Sequence, residues 1–153
     1  MDDRDSIDGL FDEIGPLLEP DYVAASGDGT VWEVRLSADT VVTASLDAGA
    51  GMLTFAIRLG EIAEAHVAGH HVGMLQFNAL LTRTDGAQLA LDARGEAVLL
   101  QRCRADRFDA QALIARLREL GERARAWRAI LSATPADAGE TQTFMPGARH
   151  IQA

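Results

Sequence analysis

Residues 75–131 constrain this chain more than any other stretch, because a helix end (MLQFNALL), a hairpin (AQLALDARGEAVLLQRC) and a long amphipathic helix (FDAQALIARLRELGERARAWRAIL) follow one another with almost no loop between them. Everything upstream has to pack on that unit. In its last helix Leu113, Leu117, Leu120, Ala124, Trp127 and Leu131 recur at 4-3-4-3-4, with Ile114 and Ile130 widening the stripe. That is the period of one buried helical face. Asp109 is placed to cap the helix, Phe108 and Leu113 to staple its entry, and Pro135 to mark its exit. On the wet side Arg118 with Glu122 and Glu119 with Arg123 are spaced to pair at i, i+4.

The hairpin in front of that helix turns through Asp92-Ala93-Arg94-Gly95, a connection whose final glycine fits a type I turn ending in a left-handed residue. Leu89 and Leu91 face one way; Val98 and Leu100 supply one facing row, and Leu99 with Cys103 the opposite one. A strand apolar on both faces is buried on both, so either a helix covers each side or a second subunit covers one.

Before the hairpin, residues 61–81 carry a helical pattern with Val72, Leu75 and Ala79 on one side and Met74, Phe77 and Leu81 beside them. Gly69 and Gly73 each weaken it by about 1 kcal/mol relative to alanine. They either split the helix near Gly73 or let another backbone approach closely. Further upstream, TVWEVRL, TVVTASLD and MLTFAIRL alternate apolar and polar positions across short turns, which predicts a three-stranded antiparallel meander. The chain opens with Ile7, Leu10, Phe11, Ile14, Leu17 and Leu18 on one helical face, interrupted by Gly15-Pro16, where a break is expected. This short stripe reads either as core or as a face left open for a partner. Between it and the strands, EPDYVAASGDG reads as a linker.

At 153 residues the chain is large enough for one domain, able to bury on the order of 70% of its unfolded surface. Residues 1–132 are expected to form it, with 133–153 a flexible tail in which only Phe144 and Met145 invite docking. Charge is uneven: the formal net charge is −9, and residues 1–28 hold nine carboxylates against Arg4 alone. Residues 102–128 run the other way, with eight of the fourteen arginines against four carboxylates. The acidic total disfavours nucleic acid as a partner, since that binding depends on neutralising phosphates. No basic-then-apolar leader and no long apolar run is present, so neither secretion nor membrane insertion is expected and the cytosol is the default.

Chemistry has little to work with. His66 and His70 are spaced i, i+4 with His71 and Glu64 beside them, but the pattern is not H-E-x-x-H and only Cys103 and His150 remain as soft ligands. They read as surface histidines, and no metal or cofactor is expected. Cys103, the single cysteine, ends an apolar strand, where a thiol is usually inert. No enzyme activity is expected.

The order of elements is helix, three strands, helix, two strands, helix: an α+β domain with a single twisted antiparallel sheet flanked by helices. GTVWEVRL, the meander, MLQFNALL, TDGAQLALDARGEAVLLQRC and FDAQALIARLRELGERARAWRAIL, with Asn78, the Gly95 turn and Trp127 as marker positions, resemble the class I type III secretion chaperones, the Tir-chaperone (CesT-like) family. The resemblance spans residues 29–131. It implies a bacterial cytoplasmic homodimer that holds the non-globular N-terminal segment of a secreted effector soluble and export-competent without ATP, with the secretion-system ATPase as a further partner. Carried onto this sequence, Leu75, Phe77, Leu89, Leu91 and Leu99 are the implied dimer residues. Ile7, Leu10, Phe11, Ile14, Trp32, Val34 and Leu36 are the implied effector-groove residues. A cytosolic dimeric adaptor or regulator of the same fold, unconnected with secretion, is the alternative.

Overall fold

The computed structural model describes residues 3–18, 23–26, 29–80 and 83–133. The expected tail, with Phe144, Met145 and His150, lies outside them apart from Ala133, as do Leu81 and Pro135. Helix α1 (Asp3–Ile14) buries Ile7, Phe11 and Ile14, the i, i+4, i+7 set expected of its stripe. Gly15-Pro16 then ends it as expected, and a 3-10 turn (Gly15–Leu17) follows with the proline in its first turn. The tighter turn separates two leucines that the helical stripe would have kept together: Leu18 is buried and Leu17 faces solvent.

Four strands, not three, precede the middle helix. The additional one, β1 (Val23–Ala25), lies inside the stretch that reads as a linker. It is formed by antiparallel pairing with β2 (Val31–Ser37), Val23 opposite Val34 and Ala25 opposite Trp32. β3 (Thr40–Asp47) and β4 (Met52–Gly60) complete the meander. After α2 (Val67–Asn78) come β5 (Ala87–Leu91) and β6 (Ala97–Arg104), then α3 (Ala110–Ser132). The sheet has the order β1-β2-β3-β4-β6-β5, so β6 is an interior strand and β5 an edge.

Pairing register fixes which face each side chain takes. Trp32 and Phe55 flank Ala44, Val42 joins Val34 to Ile57, and Leu99 lies between Ile57 and Leu89. These side chains form the core under α1 and α3, the latter contributing Leu113, Ile114, Leu117, Leu120, Ala124 and Leu131. Val98 and Leu100 fall on the face opposite Leu99 and Cys103, as expected, and it is the Leu99 row that sits beside Leu89. Leu89 shares the helix-covered face with Leu99, whereas Val98 and Leu100 lie on the other face beside Arg58 and Ala56. Every described residue of that other face keeps some solvent exposure.

Neither glycine splits α2 or admits a neighbouring backbone: Gly69 and Gly73 both lie inside it, and a Cβ at either would meet nothing within 4 Å. At the hairpin, Gly95 adopts φ 82° and its N–H donates to the Asp92 carbonyl over 3.0 Å, as its turn requires. Asp92 Oδ1 accepts from the amides of Arg94 (2.8 Å) and Glu96 (3.0 Å). These bonds, the Arg94 amide foremost, hold the Asp92 carboxyl below its ordinary value. Asp109 caps α3 as expected, accepting from Ala112 N–H at 2.7 Å. Of the two expected ion pairs on α3, Glu119–Arg123 forms at 2.7 Å, while Arg118 and Glu122, both exposed, form none with each other.

Candidate functional site

Val72, Leu75 and Leu91, three of the exposed large apolar side chains among the described residues, lie on α2 and β5, which run side by side. Val72 is 54% exposed, Leu75 68% and Leu91 43%. Two apolar stripes on α2 explain this. Met74 and Phe77 turn inward, Phe77 meeting the Trp127 ring edge-on at 5.3 Å, so Val72, Leu75 and Ala79 are left on the outside. A shallow groove of about 360 Å³ runs between the two elements, with Leu75 and Leu91 on its rim and Met74, Leu89 and Ala90 lining it. Of the five implied dimer residues, this brings Leu75 and Leu91 together at the surface. Phe77 is half-buried on Trp127, and Leu89 and Leu99 are core side chains beneath.

Asn78, at the end of α2, fixes that geometry. Its Oδ1 accepts from Leu89 N–H at 2.7 Å and its Nδ2 donates to Leu89 O at 2.8 Å. Two residues earlier on β5, Ala87 N–H donates to Thr84 O at 3.1 Å and Ala87 O accepts from Thr84 Oγ1 at 3.0 Å. Each hydrogen bond of this kind contributes about 0.5–1.5 kcal/mol net. Asn78→Ala is accordingly expected to lower the unfolding free energy by about 1–2 kcal/mol, read from the urea midpoint at unchanged slope.

The implied effector-groove residues lie mostly inside the subunit. Ile7, Phe11, Ile14, Trp32 and Val34 are all at most 3% exposed; Leu10 and Leu36 are partly buried against the same core. Phe11 stacks on Trp32 with ring centroids 4.7 Å apart, and Trp32 Nε1 donates to Asp8 Oδ1 at 2.9 Å. Helix α1 is thereby tied to the sheet, and only the Leu10 and Leu36 ends of this set reach the surface.

Sequence reasoning missed a second surface. Gly121 sits in the middle of α3, where glycine costs about 1 kcal/mol against alanine. Its place is explained by Leu36: a Cβ there would come within 3.0 Å of Leu36 Cδ1. Beside this close approach is a cleft of about 200 Å³ with Leu18, Leu36 and Gly121 at its base and Arg35, Arg118, Glu122 and Arg125 around it. The eight-arginine run of residues 102–128 was the available signal, but periodicity does not say which arginines are bonded. Arg116 reaches Asp85 and Glu119, Arg123 reaches Glu119 and the Thr84 carbonyl, and Arg128 reaches Thr40 Oγ1 and the Arg58 carbonyl. Arg118 and Arg125 make no ion pair among the described residues.

The histidine and cysteine candidates are separate from both surfaces, His71 excepted, which borders the α2–β5 groove. His66 and His70 lie edge-on with ring centroids 6.3 Å apart, and no group of three metal-ligating side chains occurs among the described residues. Partial burial pushes the Cys103 thiol up from its ordinary value, which favours the protonated form. No described helix is long and apolar enough to cross a membrane.

The sequence and the fold have counterparts among known proteins. The model of the Tir chaperone protein (CesT) family matches residues 33–128. No curated protein sequence matches the chain. Among solved structures, the ExsC–ExsE complex superposes with a TM-score of 0.74 at 19% identity, covering 88% of this chain and 100% of that one. The HopA1–SchA chaperone–effector complex gives 0.62 at 19% identity over 78% and 91% of the two chains. The heterodimeric ExoU–SpcU complex from the type III secretion system of Pseudomonas aeruginosa gives 0.61 at 23% identity over 84% and 99%. At these identities the likeness is one of fold.

Proposed function

The chain belongs to the Tir chaperone protein (CesT) family, and on that premise we propose that it is a type III secretion chaperone acting as a cytoplasmic homodimer. It holds the non-globular N-terminal segment of a secreted effector soluble and export-competent without ATP, and presents the loaded segment to the secretion-system ATPase. The observation that carries the dimer is the open apolar surface of Val72, Leu75 and Leu91. A self-complementary patch of this kind closes on a second copy by twofold symmetry. In this reading Leu75 and Leu91 make the contact, while Phe77, Leu89 and Leu99 support it from beneath.

The effector segment runs along α1 and β2, touching Leu10 and Leu36, with Ile7, Phe11, Ile14, Trp32 and Val34 shaping the surface from below. An extended segment gains backbone bonds at a sheet edge, here β1 beside β2, and specificity from alternate side chains. The structural neighbours support this reading, since one is a chaperone–effector complex and another a heterodimeric complex of a type III secretion system.

The test is direct. Light scattering of the purified protein should give the mass of a dimer, and adding the N-terminal segment of a secreted protein encoded nearby should raise its melting temperature. A monomer whose melting is unmoved by every such segment would sink the proposal.

A further inference from the structure

We propose that α2 is a strap that unwinds as a unit from the edge of β5, held shut at its C-terminal end by a polar latch on α3. The helix is weak by its own composition. Gly69 and Gly73 lie in its interior, where glycine disfavours a helix. Packing requires neither, since a Cβ at either would meet nothing within 4 Å. The N-cap residue, His66, makes no side-chain capping bond. Among the described residues Met74 is the one buried side chain of α2, with Phe77 half-buried on Trp127, whereas α3 buries seven. His70 Nε2 is buried with no hydrogen-bond partner among the described residues, an unfavourable state that opening relieves.

The bonds that hold the strap are polar and gathered at one end. Asn78 bonds both backbone groups of Leu89, and in the connection to β5 Thr84 bonds both of Ala87. Thr84-Asp85 is in turn gripped by α3. Arg123 Nη1 donates to Thr84 O at 2.8 Å, Arg116 pairs with the Asp85 carboxylate, and Glu119 bridges the two arginines. From β6 the buried Gln101 Nε2 donates to Asp85 O at 2.7 Å. Together these bonds keep Asp85 at φ 52°, a left-handed conformation uncommon for a residue with a side chain. An element with so few buried apolar side chains opens ahead of the rest of its domain. Opening carries Val72 and Leu75 away from Leu91, so the latch decides whether those three side chains form one surface.

Amide hydrogen exchange of the full-length protein at a single concentration, followed by nuclear magnetic resonance, tests this residue by residue. Ala87 and Leu89 donate to Thr84 and Asn78. Gln88, between them, points its amide at β6 by the alternation of an antiparallel pair. Unwinding of the strap exposes the first two and spares the third. After correction for intrinsic rates, Ala87 and Leu89 should exchange roughly 100-fold faster than Gln88, and than Ala44 and Phe55 in the middle of the sheet. Gly69→Ala with Gly73→Ala should slow Ala87 and Leu89 by about tenfold or more, because the closed helix gains and the open strap does not. Arg116→Ala with Arg123→Ala should speed both by about tenfold, through lost bonds to charged donors. Trp32→Phe, which touches α1 and not the strap, should speed Ala44 and Phe55 and leave Ala87 and Leu89 unmoved.

Equal exchange at Ala87, Gln88 and Leu89 would overturn the proposal, as would rates at Ala87 and Leu89 that the glycine replacements do not change. An effect of Trp32→Phe as large at Leu89 as at Ala44 would overturn it too, since the strap would then open only when the whole domain unfolds.

Discussion

Phe11→Ala is expected to lower the stability of this protein by about 3–5 kcal/mol, the cost of deleting a buried aromatic ring and leaving its cavity. Phe11 has no solvent exposure and stacks on Trp32 at 4.7 Å. The loss combines apolar burial, the ring–ring contact and the anchoring of α1 to the sheet. Domains of this size have only about 5–15 kcal/mol in hand, so the melting temperature should fall by roughly 10 °C or more. Trp32→Phe is the informative companion. It retains an aromatic partner for Phe11 but removes the Nε1 donor to Asp8, and should cost far less than the alanine at Phe11. Calorimetry and urea titration read both. If Phe11 were instead a solvent-facing groove residue, its truncation would weaken partner binding at an unchanged melting temperature, and that result would refute the placement of α1 described above.

The opposite behaviour is expected at Leu75. With 68% of it exposed in the single chain, Leu75→Glu should change the fold's intrinsic stability by no more than about 0.5 kcal/mol. In a twofold dimer closed through this patch, the same substitution places a carboxylate on each side of an apolar interface. Two such burials should raise the dissociation constant by at least about 100-fold, close to 3 kcal/mol. Sedimentation at micromolar concentration would then report a monomer with an unchanged far-ultraviolet circular dichroism spectrum. Leu17→Glu serves as the control, because Leu17 is similarly open but sits on the 3-10 turn after α1. A Leu75→Glu protein that remains dimeric would remove this surface from consideration as the interface.

Local patterns in the chain announce their own conformation well. The alternation of Leu53, Phe55, Ile57 and Leu59 is a strand with one buried face, Asp109 is a helix cap, Gly95 takes the left-handed turn position, and Gly15-Pro16 ends a helix. Each of these depends on a few neighbouring residues. What does not depend on neighbours is hidden. β1 consists of Val23, Ala24 and Ala25, too short and too plain to signal a strand, and it exists because β2 offers it an edge. That β6 inserts between β4 and β5 is a matter of who pairs with whom, and alternation reports only which face a residue takes.

The same limit governs the surfaces. Helix α2 is apolar on two sides, and the ring of Trp127, fifty residues on from Phe77, decides which side is inner. Gln101 is buried in the core-facing row of β6, where its Nε2 donates to the Asp85 carbonyl at 2.7 Å, a partner no periodicity points to. The stripe of α1 is equally suited to a core and to a groove, and its stacking on Trp32 places it in the core.

Asn78 gives the sheet a direction of growth. Its carboxamide occupies the positions that a neighbouring strand's amide and carbonyl would take opposite Leu89, and Thr84 does the same opposite Ala87. An exposed strand edge is a template on which further chains can stack without limit. With the Ala87 and Leu89 backbone groups of β5 already bonded by Thr84 and Asn78, copies of this protein meeting there are left with side-chain contacts at those positions, which disfavours unlimited stacking. The β5 end of the sheet is thus a poor template for a fibre.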